Sequence, residues 1–154
     1  MIIRFRPDYR HPFFAGLRPI PAPAARGNCL ALIGTYSELM EAAGWGVRVR
    51  RAIYVLHGPE TPFLSEEQRE SLWQRFEVPV YALLLGRRSR LTAWECEVQE
   101  GLHTHPRNCD LPRAIRRVES SPCECGRPGS RLILHQTDAE SVFSAAAQPS
   151  PAGL

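Results

Sequence analysis

The sequence predicts an α/β fold: a small three-layer core of parallel βαβαβ units, followed by an antiparallel hairpin and a cysteine-containing loop. Continuous apolar runs alternate with two segments of helical pattern, and each helical segment opens with a capping-box spacing. Parallel strands are covered on both faces, so they read as unbroken apolar runs joined by right-handed crossovers. Short polar and apolar segments after residue 86 predict the antiparallel part.

The first βα unit follows a proline-rich segment. The apolar run 29–33 predicts a buried strand that ends at a glycine. Thr35 and Glu38 have the spacing of a capping box, in which both side chains accept hydrogen bonds from free N–H groups at a helix N-terminus. Gly44 and Gly46 end the predicted helix.

The second unit repeats this order. The run 52–56 predicts a second strand, and Ser65 with Gln68 forms the second capping box. Leu72 lies on the apolar face of the helix that follows, and 78–85 predicts a third buried strand.

The later segments predict a different arrangement. Residues 91–97 and 102–105 flank a short polar turn, which predicts a β-hairpin, and 131–135 predicts a last strand.

Length and composition fit one domain with extended ends. Of the 154 residues, 44% are hydrophobic and 23% are charged, as in ordinary globular proteins. Proline is dense near the N-terminus, so we expect residues 1–27 to form an extended arm. Residues 28–137 form the single predicted α/β unit, and the Ala-, Ser- and Pro-rich segment 138–154 is predicted to be a flexible tail.

Charge and hydropathy exclude several classes of protein. No apolar run approaches the roughly 18 residues of a membrane span, and no signal-peptide pattern opens the chain, so we expect a cytoplasmic protein with no membrane partner. The net charge of +3 is too small to indicate nucleic acid. The sequence contains no lysine, which excludes every mechanism that needs a lysine amine.

The cysteine pattern indicates a metal site. Five cysteines fit a disulfide framework poorly, and clustered cysteines near histidines in a reducing cytosol indicate metal. Cys29 lies in a predicted core strand, where we expect it only to pack. Three of the others, with one histidine, make the closed tetrahedral set that is typical of structural zinc.

Cys96 and His103 lie on opposite sides of the predicted hairpin. A turn at Gln99-Glu100 places them directly opposite, with Cβ atoms about 4.5–5.5 Å apart, which suits two ligands of one ion. A turn at Glu100-Gly101 moves them out of direct opposition, and both registers stay open.

Downstream, a tight Cys-x-Cys turn aims two sulfurs at one point. Cys123 and Cys125 precede Gly126, which permits an unusual backbone angle. Zinc with three thiolates carries a single net negative charge, which Arg127 or Arg131 can offset.

Other interpretations stay open at this point. Cys96 can be a buried apolar thiol, while Cys123 and Cys125 can be unrelated to metal or form a labile disulfide. His105 lies on the same strand face as the other hairpin histidine and can replace it as a ligand, or contact it. Cys109 can be a spare thiol, or it can replace one of these ligands.

Several short motifs occur in a fixed order along the chain. They are Leu32-Ile33-Gly34-Thr35-Tyr36-Ser37-Glu38-Leu39, His57-Gly58-Pro59-Glu60, the segment Arg69 to Pro79, Glu95-Cys96-Glu97 with Glu100-Gly101-Leu102-His103, and Pro122-Cys123-Glu124-Cys125-Gly126-Arg127. In this order the chain from Cys29 to about Leu134 resembles the middle of the phenylacetate–coenzyme A ligase-like adenylate-forming enzymes. The resemblance implies their fold and a zinc ion whose ligands are Cys96, His103, Cys123 and Cys125.

The chain departs from that family at the residues for ATP and magnesium. Where the family carries a Tyr-Gly-x-Thr-Glu motif, Leu85-Gly86-Arg87-Arg88-Ser89 keeps only the glycine. The phosphate-binding loop and the lysine-bearing lid of the longer family members have no counterpart here. A site for Mg²⁺ and triphosphate needs the acidic residue and the loop, so we expect no adenylation by this chain alone.

These observations favour a non-catalytic, zinc-stabilised accessory or binding protein derived from the ligase fold. We expect a protein partner or a second copy of the chain to cover its exposed faces. One alternative is a nucleotide- or acyl-CoA-binding protein, or a subunit of a split CoA ligase. It would use side chains at the carboxyl ends of the strands, namely His57, Glu60, Arg87 and Arg88.

A second alternative is a zinc-ribbon-like nucleic-acid binder, which we disfavour because glutamates in the same region largely cancel the positive field. Its basic residues would be Arg113, Arg116, Arg117, Arg127 and Arg131.

Overall fold

The computed structural model describes residues 2–4, 19–21, 27–58, 63–86, 91–104 and 117–133. These residues form one nine-stranded sheet with the order β2-β1-β3-β4-β5-β6-β7-β9-β8, and two helices. The elements are β1 (Ile2–Arg4), β2 (Pro19–Pro21), β3 (Asn28–Gly34), α1 (Tyr36–Ala43), β4 (Arg48–His57), α2 (Glu66–Phe76), β5 (Val80–Leu85), β6 (Leu91–Glu95), β7 (Leu102–Thr104), β8 (Arg117–Glu119) and β9 (Arg131–Ile133).

The sheet has a parallel half and an antiparallel half. Strands β2, β1, β3, β4 and β5 pair in parallel, and β6, β7, β9 and β8 continue the sheet in antiparallel pairs. The predicted α/β class is therefore confirmed. Two of the parallel strands, β1 and β2, lie inside the predicted arm 1–27, whereas the predicted tail 138–154 lies outside the described residues.

Both helices pack on the same face of the sheet. Leu39 of α1 and Leu72 of α2 share one buried cluster with Leu32 and Ile53 of the central strands. Both crossovers advance the chain in the same direction across the sheet, and crossovers of the same hand then place their helices on one side. The described residues thus form one helical layer on the sheet, where the sequence suggested three layers.

The two capping boxes are formed as predicted. The Glu38 carboxylate accepts a hydrogen bond of 2.7 Å from the Thr35 N–H, and the Thr35 hydroxyl accepts one from the Glu38 N–H. Ser65 and Gln68 make the same reciprocal pair at the start of α2. Each box satisfies N–H groups that a helix N-terminus otherwise leaves unpaired. Among the described residues, neither helix has the length and apolarity to cross a membrane.

The predicted hairpin forms, but both predicted registers are wrong. Trp94 of β6 pairs with His103, so the connection is the loop 96–101 rather than a two-residue turn. The observed pairing differs by two residues from the one that placed Cys96 opposite His103. Side chains in a strand alternate with period two, so this shift keeps His103 on the predicted face.

Gly101 ends the hairpin loop where it passes β9. Its φ of 87° lies in the left-handed region, and a Cβ atom there would lie 2.6 Å from the carbonyl oxygen of Leu132. Only glycine fits so close to a neighbouring backbone. This close approach lets the short strand β7 pair with β9 at Leu102 and His103.

A partly buried ion pair joins α2 to the junction between the two halves. The Glu95 carboxylate accepts hydrogen bonds of 2.8 and 3.1 Å from the Arg69 guanidinium, and one of 2.7 Å from the backbone N–H of Ala82. Arg69 also donates to the carbonyl oxygen of Val80 at 2.6 Å. The pair therefore ties the helix to β5 and to the end of β6, next to Cys96.

Candidate metal centre

Four side chains from two distant segments converge at one end of the antiparallel half. Cys96 directly follows β6 and His103 lies in β7, whereas Cys123 and Cys125 lie between β8 and β9. Their ligand atoms all lie within 4.8 Å of one another. These are the four ligands that the sequence resemblance implied, and the structure brings all of them together in an arrangement that can hold a metal ion.

Two tight turns carry the three sulfurs. The Gln99 N–H donates a 3.0 Å hydrogen bond to the carbonyl oxygen of Cys96, and the Gly126 N–H donates one of 2.9 Å to that of Cys123. Gln99 and Gly126 have φ values of 57° and 76°, respectively. The Gln99 side chain also donates to the carbonyl oxygen of Val80 at 2.8 Å, which anchors the first turn on β5.

Two distances between the four side chains are close to those of a tetrahedral ion. Cys96 Sγ lies 3.7 Å from Cys123 Sγ, and Cys125 Sγ lies 3.3 Å from His103 Nε2. Tetrahedral zinc, with bonds of about 2.3 Å to sulfur and about 2.0 Å to nitrogen, separates two sulfurs by about 3.8 Å and a sulfur from a nitrogen by about 3.5 Å. The four cysteines among the described residues are free thiols, so the disulfide alternative does not describe this structure.

Burial and neighbouring charges set the protonation of the ligands. Burial raises the pKa of the Cys96 thiol to about 11. At Cys125 burial works against ionisation, but hydrogen bonds from the Arg127 N–H and from neighbouring side chains lower the pKa. Burial, with the charges of Arg127 and Arg131, lowers the pKa of His103, so its imidazole is neutral at pH 7 and Nε2 can bind a metal.

Arg131 supplies a buried positive charge beside the sulfurs. Its side chain is 7% exposed, and Nη1 lies 3.8 Å from Cys123 Sγ. The same guanidinium donates to the carbonyl oxygen of Glu100 at 3.0 Å, and pairs with the Glu119 carboxylate at 3.2 Å. It therefore links the hairpin loop, β8 and the sulfur turn around one charge.

Arg127 forms a second bridge at the rim of the site. Its guanidinium donates a 2.6 Å hydrogen bond to the Glu97 carboxylate, which joins the two sulfur-bearing loops. Hydrogen bonds to Glu97 and Cys125 raise the pKa of Arg127 further, so its charge persists at every accessible pH. Both arginines that the sequence analysis named for charge compensation thus lie beside the centre.

No protein-family model and no curated protein matches the chain. Among solved structures it is similar to the open conformation of 2-hydroxyisobutyryl-CoA ligase in complex with 2-HIB-AMP and CoA, with a TM-score of 0.48 and 13% sequence identity. The similarity covers 68% of this chain and 32% of that enzyme, so the chain spans about a third of its length. The finer resemblance to phenylacetate–coenzyme A ligase-like enzymes stays a prediction.

If the cluster holds a metal ion, replacing Arg131 by methionine is expected to weaken its binding roughly 10–100-fold, the usual range for residues that support metal ligands. Arg131→Met keeps the apolar stem but leaves Cys123, Glu100 and Glu119 without their shared cation. Arg131→Lys is expected to be intermediate, because an ammonium keeps the charge and loses the planar fork. Competition with a chromophoric chelator measures the affinity.

The matched control for that series is Arg117→Met. Arg117 is 63% exposed and lies 3.6 Å from Glu119, outside the ligand cluster. We expect this variant to bind zinc as the parent does. An Arg131→Met variant with unchanged zinc affinity would show that the buried charge does not act on the metal.

Other residues considered for function lie elsewhere. His57 ends β4, where its buried ring stacks on Phe63 with 4.6 Å between ring centroids, and Cys29 packs in the core beneath the helices. Neither belongs to the cluster. The remaining candidates lie outside the described residues: Glu60, Arg87, Arg88, His105, Cys109, Arg113 and Arg116.

Sequence reasoning missed the acidic partners of the two arginines. Glu100 and Glu119 are 31 and 12 residues from Arg131, and Glu97 is 30 residues from Arg127. The pairing of β8 with β9 brings Glu119 opposite Arg131, and the sequence predicted no strand at the position of β8. The sequence separations of these charged residues match no helix or strand period, so the sequence alone does not predict that they pair.

Proposed function

We propose that Cys96, His103, Cys123 and Cys125 hold one structural zinc ion, and that the chain is a non-catalytic, zinc-stabilised accessory or binding protein with an adenylate-forming ligase-like fold. The observation that carries this proposal is the convergence of four ligand atoms, from two distant segments, within 4.8 Å. A metal ion there clamps the hairpin loop to the turn between β8 and β9.

The chemistry of the ligands favours zinc. Three thiolates are soft ligands, and zinc accepts a mixed sulfur and nitrogen set in tetrahedral geometry without redox reactivity. Four protein ligands fill the coordination sphere, which leaves no position for water or substrate. Such an ion stabilises a fold and activates no nucleophile.

Two further features support a role other than catalysis. The sequence has no lysine, so no lysine amine is present to stabilise an adenylation transition state. The acidic residue that would hold magnesium beside a triphosphate is replaced by arginine and serine at 87–89.

The metal content of the purified full chain tests the proposal. We expect about one zinc per chain by elemental analysis, and cobalt substitution should give the thiolate charge-transfer absorption of a tetrahedral sulfur site. Cys96→Ser and Cys123→Ser are expected to lose the metal, because each removes one of four ligands. Cys29→Ala, which removes a core thiol outside the cluster, is expected to keep it.

Two results would contradict the proposal. Parent protein that is purified without metal, binds none when zinc is added, and is nevertheless fully folded would overturn the proposal. Equal zinc content in the parent and in Cys96→Ser and Cys123→Ser would place the metal elsewhere in the chain.

A further inference from the structure

The three sulfurs of the centre differ in their access to solvent. Cys96 and Cys123 are each 4% exposed and His103 is 2% exposed. Cys125 is only half-buried, and it lies in the turn between the exposed residues Glu124 and Gly126. Cys125 is therefore the most accessible of the four side chains to a small solute.

The sulfur of Cys96 lies close to that of Cys125. Cys96 Sγ lies within 4.8 Å of Cys125 Sγ, on a segment 29 residues away in sequence. A disulfide needs about 2.0 Å between its sulfurs, so a movement of 2–3 Å, roughly, joins them. Gly126 and Gly129 lie on the downstream side of the turn, and a Cβ atom at either position would have no neighbouring atom within 4 Å, so no other residue packs closely against these two positions.

We propose that this centre, taken as the zinc site proposed above, is a peroxide-sensitive redox site in which Cys125 is oxidised first and Cys96 then forms a disulfide with it. The oxidant that reacts with this site is a hydroperoxide. The site is thereby also a modification site, and oxidation releases the metal.

The chemistry takes two balanced steps. The Cys125 thiolate attacks one oxygen of hydrogen peroxide: an S–O bond forms, the O–O bond breaks, and hydroxide leaves, so that sulfur is oxidised by two electrons and peroxide is reduced. The Cys96 thiolate then attacks the sulfur of the sulfenic acid: an S–S bond forms, the S–O bond breaks, and a second hydroxide leaves. Two thiolates and one peroxide give one disulfide and two hydroxides.

Geometry favours Cys96 over Cys123 as the second sulfur. Cys123 and Cys125 are separated by one residue, and a disulfide that closes so short a ring departs from relaxed disulfide geometry. Cys123 Sγ also lies 3.8 Å from the buried Arg131 guanidinium, which holds it in place. After the disulfide forms, zinc keeps only Cys123 and His103, which is too few ligands for a stable tetrahedral site.

The experiment uses the full zinc-loaded chain and hydrogen peroxide. Zinc content is measured before oxidant is added, so a metal-free protein counts against the proposed function and not against this inference. We then expect one zinc released per disulfide formed, as followed with a chromophoric chelator, and recovery of the site when dithiothreitol and zinc are supplied.

Peptide mapping identifies the sulfurs. Trypsin places Cys96 in the peptide 91–107 and both downstream cysteines in 118–131, because cleavage does not occur between Arg127 and Pro128. Glutamyl cleavage after Glu124 then separates Cys123 from Cys125. The expected product is a disulfide between the fragment of 91–107 that carries Cys96 and the fragment that carries Cys125.

A variant separates oxidation from metal binding. Cys125→His supplies a fourth ligand that cannot form a sulfenic acid, and we expect its zinc release by peroxide to be slowed at least tenfold, roughly. If this variant does not load zinc, the order in which dimedone traps sulfenic acid at the cysteines of the parent decides, with Cys125 expected first. Zinc retained after peroxide is consumed, first oxidation at Cys96 or Cys123, or unchanged release from zinc-loaded Cys125→His would each overturn the inference.

Discussion

Removal of zinc by a chelator is expected to unfold the antiparallel half of the sheet and to lower the melting temperature by about 15 °C. Strands β7, β8 and β9 have three residues each, and their core contribution is a small cluster around Leu102 and Leu132. Structural zinc contributes about 10–16 kcal/mol of binding free energy in small metal domains, as much as the whole stability of an ordinary domain. A net loss of about 5 kcal/mol corresponds to the stated shift at this chain length.

Hydrogen exchange locates the loss. We expect amides of Leu102 and Leu132 to lose protection in the metal-free protein, whereas those of Leu32 and Ile53 stay protected. The latter residues belong to the larger cluster between the parallel strands and the two helices. We expect this local unfolding because the proposed metal ion, rather than buried apolar area, contributes most of the stability of the antiparallel half.

Cys123→Ser is the genetic equivalent of chelation. Its melting temperature is expected to match that of the metal-free parent and to be insensitive to chelator, while Cys29→Ala stays sensitive. Identical melting temperatures for the zinc-loaded and the zinc-free parent would show that the centre does not stabilise the fold.

The apolar runs predicted the central strands well because burial on both faces leaves a continuous pattern. Strands β3 and β5 coincide closely with the predicted runs. Strand β4 begins at Arg48, four residues before its predicted start, because exposed arginines in its first half interrupt the apolar run. An apolar run does not predict the exposed part of a strand, because backbone pairing with the neighbouring strand, and not burial of side chains, forms that part.

Strands β1 and β2 show the same limit at the sheet edge. Proline lacks an N–H, so a segment that contains Pro19 and Pro21 reads as irregular in sequence. At the edge of a sheet one side of a strand needs no ladder bonds, and proline is tolerated there. Strand β2 occupies that edge, next to β1.

The residues of the cluster could be predicted, but not the geometry that joins them. Residue type and motif order named the four side chains that the structure brings together, whereas the hairpin register was wrong by two residues. The wrong register does not affect the predicted cluster, because Cys96 lies in the loop after β6 and not in a paired strand. The turn at Gln99 in that loop brings the Cys96 sulfur to the cluster. Loop conformation of this kind depends on contacts such as that of Gln99 with Val80, which no local pattern encodes.

Replacement of Glu95 by alanine is expected to destabilise the protein by about 3 kcal/mol, because it leaves the partly buried Arg69 guanidinium without its partner. Arg69 and Glu95 are 18% and 7% exposed, and they form a forked pair with two hydrogen bonds. Glu95→Ala also leaves the Ala82 N–H without its acceptor. Denaturant unfolding measures the loss, which corresponds to a melting temperature lower by about 10 °C.

Two controls test whether the loss of stability comes from this partly buried ion pair or from the removal of any carboxylate. Glu97→Ala removes a carboxylate two residues away whose side chain is 57% exposed, and the loss is expected to be small because solvent screens that pair. The double variant Arg69→Met with Glu95→Ala is expected to be more stable than Glu95→Ala alone, since the unpaired charge is gone. If the double variant instead loses the sum of both single effects, the two side chains are not coupled, and Glu95 stabilises the junction only through the backbone of β5.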